Sequence, residues 1–361
     1  MSNSKPLLGP CDSYQLEPFI YPWAWEMSRQ QENNGWTPEE IQVGPDVADY
    51  KNPDIDPKHK HLFESVMAQL TTFDILRGDE IAECLQPIFQ PAEIKHFLKR
   101  MAWDEALHTR SYRYVIENLG IPLEIYTRYS TVPEFKARVQ MCEEISEPLL
   151  DILSQVYAVD CDLSLHKLPL HHKQSILRSM IFYFLIFEGT WFWVSLLGPI
   201  QQLARLGIFK GASEQFTYIA RDEQQHVGFG IQLIREFMAQ HPECVTKEFL
   251  EQVYTDVARA MNLERDYIHH CLKDGPILGY SAPEHIATAK YFANLRLGSV
   301  GLAAPFPEAR HAFPWMSEQM ELKKEKNFFE KRVTEYQAGG ALSFDDHCPQ
   351  HDQPGWSDPL A

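Results

Sequence analysis

The sequence predicts an all-α protein built on a helical bundle. Long segments carry apolar residues every three or four positions, and no segment of any length alternates apolar and polar residues as a strand would. No unit of about 20 to 50 residues is repeated. Hydrophobic residues make up 44% of the 361 residues and aromatic residues 12%, a globular composition with enough apolar surface for a large core.

The chain divides into three predicted regions. Residues 1–55 are rich in Pro, Asn and Gly and are expected to form an irregular N-terminal arm, with tryptophans that anchor it on the core. Residues 56–337 are predicted to be the helical domain. Residues 338–361, rich in Gly, Asp and Pro, are predicted to be a flexible C-terminal tail.

Within the helical domain, apolar periodicity predicts helices over about 59–77, 91–119, 134–158, 173–197, 213–238, 246–273 and 284–297. Pro91 suits the first turn of its helix, and Gly120 suits the position after the last. The helix over 173–197 is apolar on all sides, as a central bundle helix is, although Glu188 lies in its middle. We interpret it as a buried helix and not as a membrane span.

Charge and cysteine content exclude several classes of protein. The formal net charge of −17 argues against nucleic acid and anionic membranes as partners. The seven cysteines are scattered without a Cys-x-x-Cys pair, which indicates reduced thiols and a cytoplasmic protein. The N-terminal residues contain no apolar signal core.

The segment 101–120 carries the first candidate site residues. Glu105, His108 and Tyr112 are spaced by three and seven positions, so they share one face of a helix. A carboxylate and an imidazole one turn apart can bind the same metal ion. An acid, a base and a phenol on a buried face are costly to dehydrate without such a partner.

The motif Glu-x-x-His is weak alone, since it occurs four times: Glu93/His96, Glu105/His108, Glu223/His226 and Glu308/His311. The first pair faces another side of the helix that carries Glu105, and the last lies between prolines, so we treat both as chance.

The two remaining pairs gain weight from the acids that precede them. Asp74 lies 31 residues before Glu105, and Glu188 lies 35 residues before Glu223. Each spacing fits one helix, a connection and a returning helix. Four helices thus supply four carboxylates and two imidazoles, the ligand set of di-iron and di-manganese carboxylate bundles. Oxygen-rich ligands with one nitrogen per ion suit Fe or Mn better than Cu or structural Zn.

Several segments resemble the small, radical-generating subunit of class I ribonucleotide reductase. They are EALHTRSY (105–112), FEGTWFW (187–193), ARDEQQH (220–226), FPWMSE (313–318) and KNFFEKRVTEYQ (326–337), and the last two are similar to chlamydial-type members especially. The resemblance covers about residues 20–340. It implies a ferritin-like four-helix bundle core with additional helices, and a homodimer that docks on the large catalytic subunit through its C-terminal tail.

The resemblance also implies roles for individual residues. Six match the metal ligands: Asp74, Glu105, His108, Glu188, Glu223 and His226. Tyr112 matches the tyrosine that becomes a radical after the metals react with O2, and Phe192 and Ile219 match the apolar residues around it. Asp222 and Trp36 match a relay that starts at His108. Tyr336 matches the tail tyrosine that passes the radical to the large subunit for ribonucleotide reduction, with Trp356 as the alternative.

Two positions bear on the subclass. Position 74 is Asp and position 112 is Tyr, where the chlamydial type has Glu and Phe, and both favour a metal pair that works with a tyrosyl radical. We expect two iron ions per chain, with Mn2 or Mn/Fe as alternatives. Some relatives store the oxidising equivalent on the metals instead of the tyrosine. Two other functions stay open at this point: a related ligand-binding di-metal oxidase and a ferritin-like metal store.

Overall fold

The predicted all-α fold is confirmed in a computed structural model, which describes residues 6–9, 16–158 and 163–316. The α-helices are α1 (Pro22–Glu32), α2 (Gly44–Lys51), α3 (Pro57–Asp79), α4 (Gln86–Ile88), α5 (Ala92–Leu119), α6 (Arg128–Thr131), α7 (Pro133–Val156), α8 (Leu170–Met180), α9 (Gly198–Arg205), α10 (Lys210–Gln240), α11 (Lys247–Cys271) and α12 (Ala282–Ser299). Two π-helical segments, Glu80–Leu85 and Ile181–Leu197, follow α3 and α8. The described part of the chain contains no strand, only an isolated bridge between Ile277 and Tyr280.

Four elements form the centre of the bundle: α3, α5, the π segment Ile181–Leu197 and α10. Helix α3 packs along α5, and the π segment packs along α10. Helix α12 covers the other side of the π segment, and α1 covers α5. Gly120 ends α5 with a φ of +71°, a left-handed conformation that glycine adopts without strain, as the sequence predicted.

The central rod, Leu170–Arg205, runs without interruption through α8, the π segment and α9. Its length and composition would allow it to cross a membrane, but its apolar window is completely buried within the protein. This burial agrees with the interpretation of a core helix. The rod is longer than the predicted helix over 173–197, and its middle is π-helical, which periodicity does not reveal because every residue there is buried.

Gly189 shows why the π geometry fits this sequence. A Cβ at this position would lie 2.8 Å from the carbonyl oxygen of Phe184, so only glycine fits here without a shift of the backbone. The Gly189 carbonyl accepts a hydrogen bond from Arg296 Nε at 2.9 Å, and Thr190 Oγ1 donates to the Leu185 carbonyl at 2.8 Å. Side chains therefore satisfy backbone groups that the wide turns leave open.

The prediction of an irregular arm over 1–55 is wrong for residues 22–51, which contain α1, a 3₁₀ turn (Pro38–Glu40) and α2. The buried face of α1 consists of Ala24, Ser28 and Gln31, which gives no apolar periodicity. Tertiary contacts hold the arm instead. The Asp46 carboxylate accepts hydrogen bonds from the Gly211 and Ala212 backbone N–H groups at 2.9 and 2.6 Å, at the start of α10.

The Glu-x-x-His pair at Glu93 serves the arm and not the metal site. Buried Glu93 accepts hydrogen bonds from the backbone N–H groups of Ile20 and Tyr21. His96 packs against the ring of Trp25, with ring centroids 4.9 Å apart. The pair therefore faces away from the candidate metal ligands, as its position on the helix predicted.

The contact between α10 and the central rod yields a stability prediction. A Cβ at Gly230 would overlap the ring of Phe184, whereas a Cβ at Gly228 would make an ordinary contact with Met27 Cε at 3.5 Å. We expect Gly230→Ala to lower the free energy of unfolding by about 2–3 kcal/mol through overpacking. Gly228→Ala, the matched control on the same helix, is expected to raise it by about 0.5 kcal/mol. Urea denaturation measures both, and equal effects would contradict the packing of this interface.

Candidate metal centre

The four central elements bring the six predicted metal ligands together. Helix α3 supplies Asp74, α5 supplies Glu105 and His108, the π segment supplies Glu188, and α10 supplies Glu223 and His226, all with at most 5% of their surface exposed. The ligand atoms form two groups in which all atoms lie within 4.8 Å of one another: Asp74, Glu105 and His108, and Glu105, Glu188, Glu223 and His226. Glu105 belongs to both groups.

Two carboxylates lie between the imidazoles. His108 Nδ1 is 3.5 Å from Glu105 Oε2 and 3.4 Å from Glu223 Oε1. His226 Nδ1 is 3.3 Å from Glu105 Oε1 and 3.5 Å from Glu223 Oε2. Each of these two glutamates thus presents one oxygen to each histidine.

Each imidazole is backed by an aspartate from the opposite helix. His108 Nε2 lies 3.3 Å from Asp222 Oδ2, and His226 Nε2 lies 3.5 Å from Asp104 Oδ2. These contacts favour the tautomer with the proton on Nε2, which leaves the Nδ1 lone pair facing the centre. The contact to Asp222 was predicted, but Asp104 was missed. The signal was present, because both ligand motifs read Asp-Glu-x-x-His.

Trp36 joins this outer layer from the N-terminal arm. Its indole Nε1 donates to Asp222 Oδ2 at 2.8 Å, and its ring stacks near His108 with centroids 6.3 Å apart. The structure therefore places Trp36, Asp222 and His108 in one continuous chain of contacts. Tyr336 and Trp356, the predicted residues of the tail, lie outside the described residues.

Tyr112 is completely buried beside the ligands. Its hydroxyl donates to Asp74 Oδ2 at 2.7 Å, and its ring lies 5.9 Å from that of Phe216. Phe192 and Ile219 are buried in the same hydrophobic core. Phe216 was not predicted, although it lies seven residues before Glu223 and so shares its helix face.

Arg77 is a further charged residue that the sequence analysis missed. It is fully buried on α3, its Nε donates to Glu188 Oε1, and its Nη1 donates to Glu80 Oε2. The guanidinium lies over the rings of Phe184 and Tyr183, 4.6 and 5.0 Å from their centroids. Its position three residues after Asp74, on the same face of α3, was the signal in the sequence.

The donor set fits two divalent metal ions. Five buried ligand atoms have no hydrogen-bond partner among the described residues: Glu105 Oε1, Glu188 Oε2, Glu223 Oε2, His108 Nδ1 and His226 Nδ1. Buried polar atoms without partners are costly, and four adjacent carboxylates repel one another. Two divalent ions would satisfy these atoms and neutralise the four charges.

The pKa values of the metal-free site reflect this crowding. Burial raises the pKa of Asp74 well above its usual value, and proximity to Glu105 raises it further. Burial also raises the pKa of Glu188 to about 8, although Arg77 opposes the shift. Burial raises the pKa of Glu223, but the neighbouring imidazoles of His108 and His226 outweigh burial and lower that pKa to about 2. Burial lowers the pKa of both histidines, but hydrogen bonds to carboxylates outweigh it and raise them well above the usual value.

Comparisons with known proteins point to one family. The family model "Ribonucleotide reductase, small chain" matches residues 13–314. Ribonucleoside-diphosphate reductase subunit beta of Chlamydia pneumoniae is 32% identical over 334 residues, which cover 92% of this chain and 92% of that protein. The subunit beta of Haemophilus influenzae is 28% identical over 302 residues, 78% of this chain and 77% of that protein.

Solved structures share the fold. The ribonucleotide reductase R2 subunit from Clostridium botulinum superposes with a TM-score of 0.71 at 22% identity, over 83% of this chain and 88% of that chain. The dimanganese(II)-NrdF from Streptococcus sanguinis gives a TM-score of 0.66 at 19% identity, over 86% and 99%. The predicted ferritin-like helical fold is thereby confirmed.

The pKa shifts predict how the metal-free protein responds to pH. Asp74, Glu188, His108 and His226 bind their protons more tightly in the folded than in the unfolded state, so the stabilisation they give is lost as pH rises through their folded pKa values. We expect the melting temperature of the metal-free protein to fall between about pH 6 and about pH 9, and saturation with Mn(II) to remove this fall. Glu188→Gln, which cannot titrate, should give a shallower slope. A melting temperature that rises over this range would contradict the assignment.

Proposed function

Because the chain belongs to the family of ribonucleotide reductase small chains, we propose that Asp74, Glu105, His108, Glu188, Glu223 and His226 bind two metal ions. The observation that carries the proposal is the set of five ligand atoms between the four central elements that have no hydrogen-bond partner among the described residues. These residues would hold two redox-active ions, which would supply, together with O2, the oxidising equivalent for this class of oxidoreductase. Iron and manganese both suit these ligands. We propose two iron ions, with Mn2 and Mn/Fe as alternatives.

Tyr112 is the residue that holds the oxidising equivalent in this proposal. Oxidation of a phenol to a neutral radical releases its proton, and Asp74 Oδ2 lies at 2.7 Å to accept it. The tyrosine is fully buried beside Phe216, with Phe192 and Ile219 in the same core, so water and small reductants are kept from the ring. Exclusion of water is what gives such a radical its lifetime.

His108, Asp222 and Trp36 form the inner part of a relay to the partner subunit. Asp222 accepts hydrogen bonds from both ring systems, so it fixes the imidazole and the indole relative to each other. The proposed route continues through Tyr336 of the tail, with Trp356 as the alternative. The tail docks on the large subunit, where ribonucleoside diphosphates are reduced, and the small subunit acts as a homodimer in the cytoplasm.

Two alternatives are less well supported. The relatives by sequence are reductase subunits over most of their length, whereas a ferritin-like store needs no partner. A ligand-binding oxidase needs room for its organic substrate beside the metals. Close packing of the aromatic side chains next to Glu188 argues against such room, since Phe73, Phe187 and Trp191 have ring centroids 4.6 to 6.2 Å apart.

The test of the proposed function is the EPR spectrum of the metal-free protein after loading with Fe(II) and exposure to O2. We expect an organic radical signal in the wild type and its loss in Tyr112→Phe, because no phenol then lies at Asp74. Tyr267→Phe, a matched control at another fully buried tyrosine, should keep the signal. A signal that survives in Tyr112→Phe would place the radical elsewhere. Iron binding without any signal would favour a centre that holds the oxidising equivalent on the metals.

The relay predicts separate effects on radical formation and on turnover. Trp36→Phe removes the hydrogen bond to Asp222, so we expect a tyrosyl radical of normal yield but at least a hundredfold lower reductase activity with the large subunit, a loss of about 3 kcal/mol. Trp25→Phe is the matched control, because Trp25 lies in the same arm and stacks on Phe19. Normal turnover of Trp36→Phe would remove this residue from the route.

A further inference from the structure

Arg77 brings a full positive charge into the acidic site. Its Nε donates to Glu188 Oε1, while Glu188 Oε2 has no hydrogen-bond partner among the described residues. Glu188 belongs to the group of candidate ligands around His226. One oxygen of this carboxylate is thus held by the guanidinium, and the other is left for a metal ion. The rings of Phe184 and Tyr183 cover the guanidinium, so it cannot leave this position without repacking.

We propose that Arg77 is a positioning residue that sets the affinity of the ion on the His226 side of the centre. The proposal rests on the two-ion site of the proposed function. Arg77 fixes the rotamer of Glu188 so that only Oε2 is available, and its charge opposes that of the ion bound there. In this part of the protein the dielectric screening is weak, so an opposing charge next to a ligand has a large effect.

The two sides of the centre present matching sets of carboxylates. Glu105 and Glu223 each lie beside both imidazoles, Asp74 belongs to the group around His108, and Glu188 belongs to the group around His226. Because the guanidinium of Arg77 donates to Glu188, its charge acts more strongly on an ion at the His226 side than on one at the His108 side.

Glu80 controls how much of this positive charge the ion experiences. Its carboxylate accepts from Arg77 Nη1, whereas Glu188 accepts from Arg77 Nε, and it also accepts from Ser179 Oγ at 3.3 Å. Glu80 further lines a cavity of about 250 Å³, together with the carboxylates of Asp79, Glu83, Glu143 and Glu147. Removal of the Glu80 charge therefore leaves Arg77 less compensated, while water in the cavity can still solvate the neutral side chain.

The experiment is a titration of metal-free protein with Mn(II), in which the EPR signal of free Mn(II) gives both dissociation constants. We expect Arg77→Gln to lower the dissociation constant of one of the two ions at least about tenfold and to leave that of the other within about threefold of the wild-type value. Arg77→Lys, which keeps the charge, should stay near the wild type. Glu80→Gln should raise the dissociation constant of the same ion that Arg77→Gln binds more tightly. The Asp74→Asn background, which lacks a ligand on the His108 side, identifies that ion.

The opposite signs distinguish an electrostatic effect from a loss of packing. A residue that only supports the fold would weaken both ions in every variant, and that outcome, or unchanged constants, would overturn the proposal while the two-ion site stands. A wild-type protein that binds no Mn(II) would overturn the proposed site itself. Melting curves show whether each variant folds. Should Arg77→Gln not fold, Arg77→Gln/Glu80→Gln removes both charges together, and it is expected to tighten the same ion by a smaller factor.

Discussion

Four carboxylates inside an apolar core are the constraint on which the centre of this protein depends. Without compensating charges nearby, their mutual repulsion and the cost of removing them from water would unfold the bundle. The surrounding residues compensate part of this charge. The imidazoles of His108 and His226 lie next to the acids, and the buried Arg77 donates a hydrogen bond to Glu188. The ligand atoms that have no hydrogen-bond partner among the described residues suit divalent ions. Because protein groups alone compensate the charge only in part, the site is suited to metal ions that would compensate the rest.

The centre has an internal symmetry that the sequence displays openly. The same five-residue pattern, Asp-Glu-x-x-His, occurs on α5 and on α10, and each aspartate supports the histidine of the other helix. Spacing predicted that the two Glu-x-x-His pairs and the acids that precede them would meet, and the structure places these six side chains together. Spacing could not predict Asp104 or Arg77 as partners, because the pairings of Asp104 with His226 and of Arg77 with Glu188 cross between helices, whose relative rotation the sequence does not give.

The same limit explains where the predicted fold and the observed fold differ. Helices with one apolar stripe, such as α5, α7 and α11, were predicted with ends close to those observed. Helix α1 was missed because its buried face is Ala24, Ser28 and Gln31, so that its stability comes from tertiary contacts and not from its own pattern. The π segment was missed for the opposite reason, since a segment that is apolar on every side carries no period at all.

The π geometry around Glu188 also determines which movements the centre permits. A wide turn can relax into an ordinary one only if all residues on one side of it slip by a full position, which rotates each of them by about 100°. Such a slip would turn Trp191 and Trp193 out of the core in which they are fully buried. Small, gradual changes of the backbone therefore cannot convert this segment into an ordinary α-helix. If Glu188 binds an ion as proposed, a change in that contact would come from torsions of the Glu188 side chain, which the hydrogen bond from Arg77 restrains.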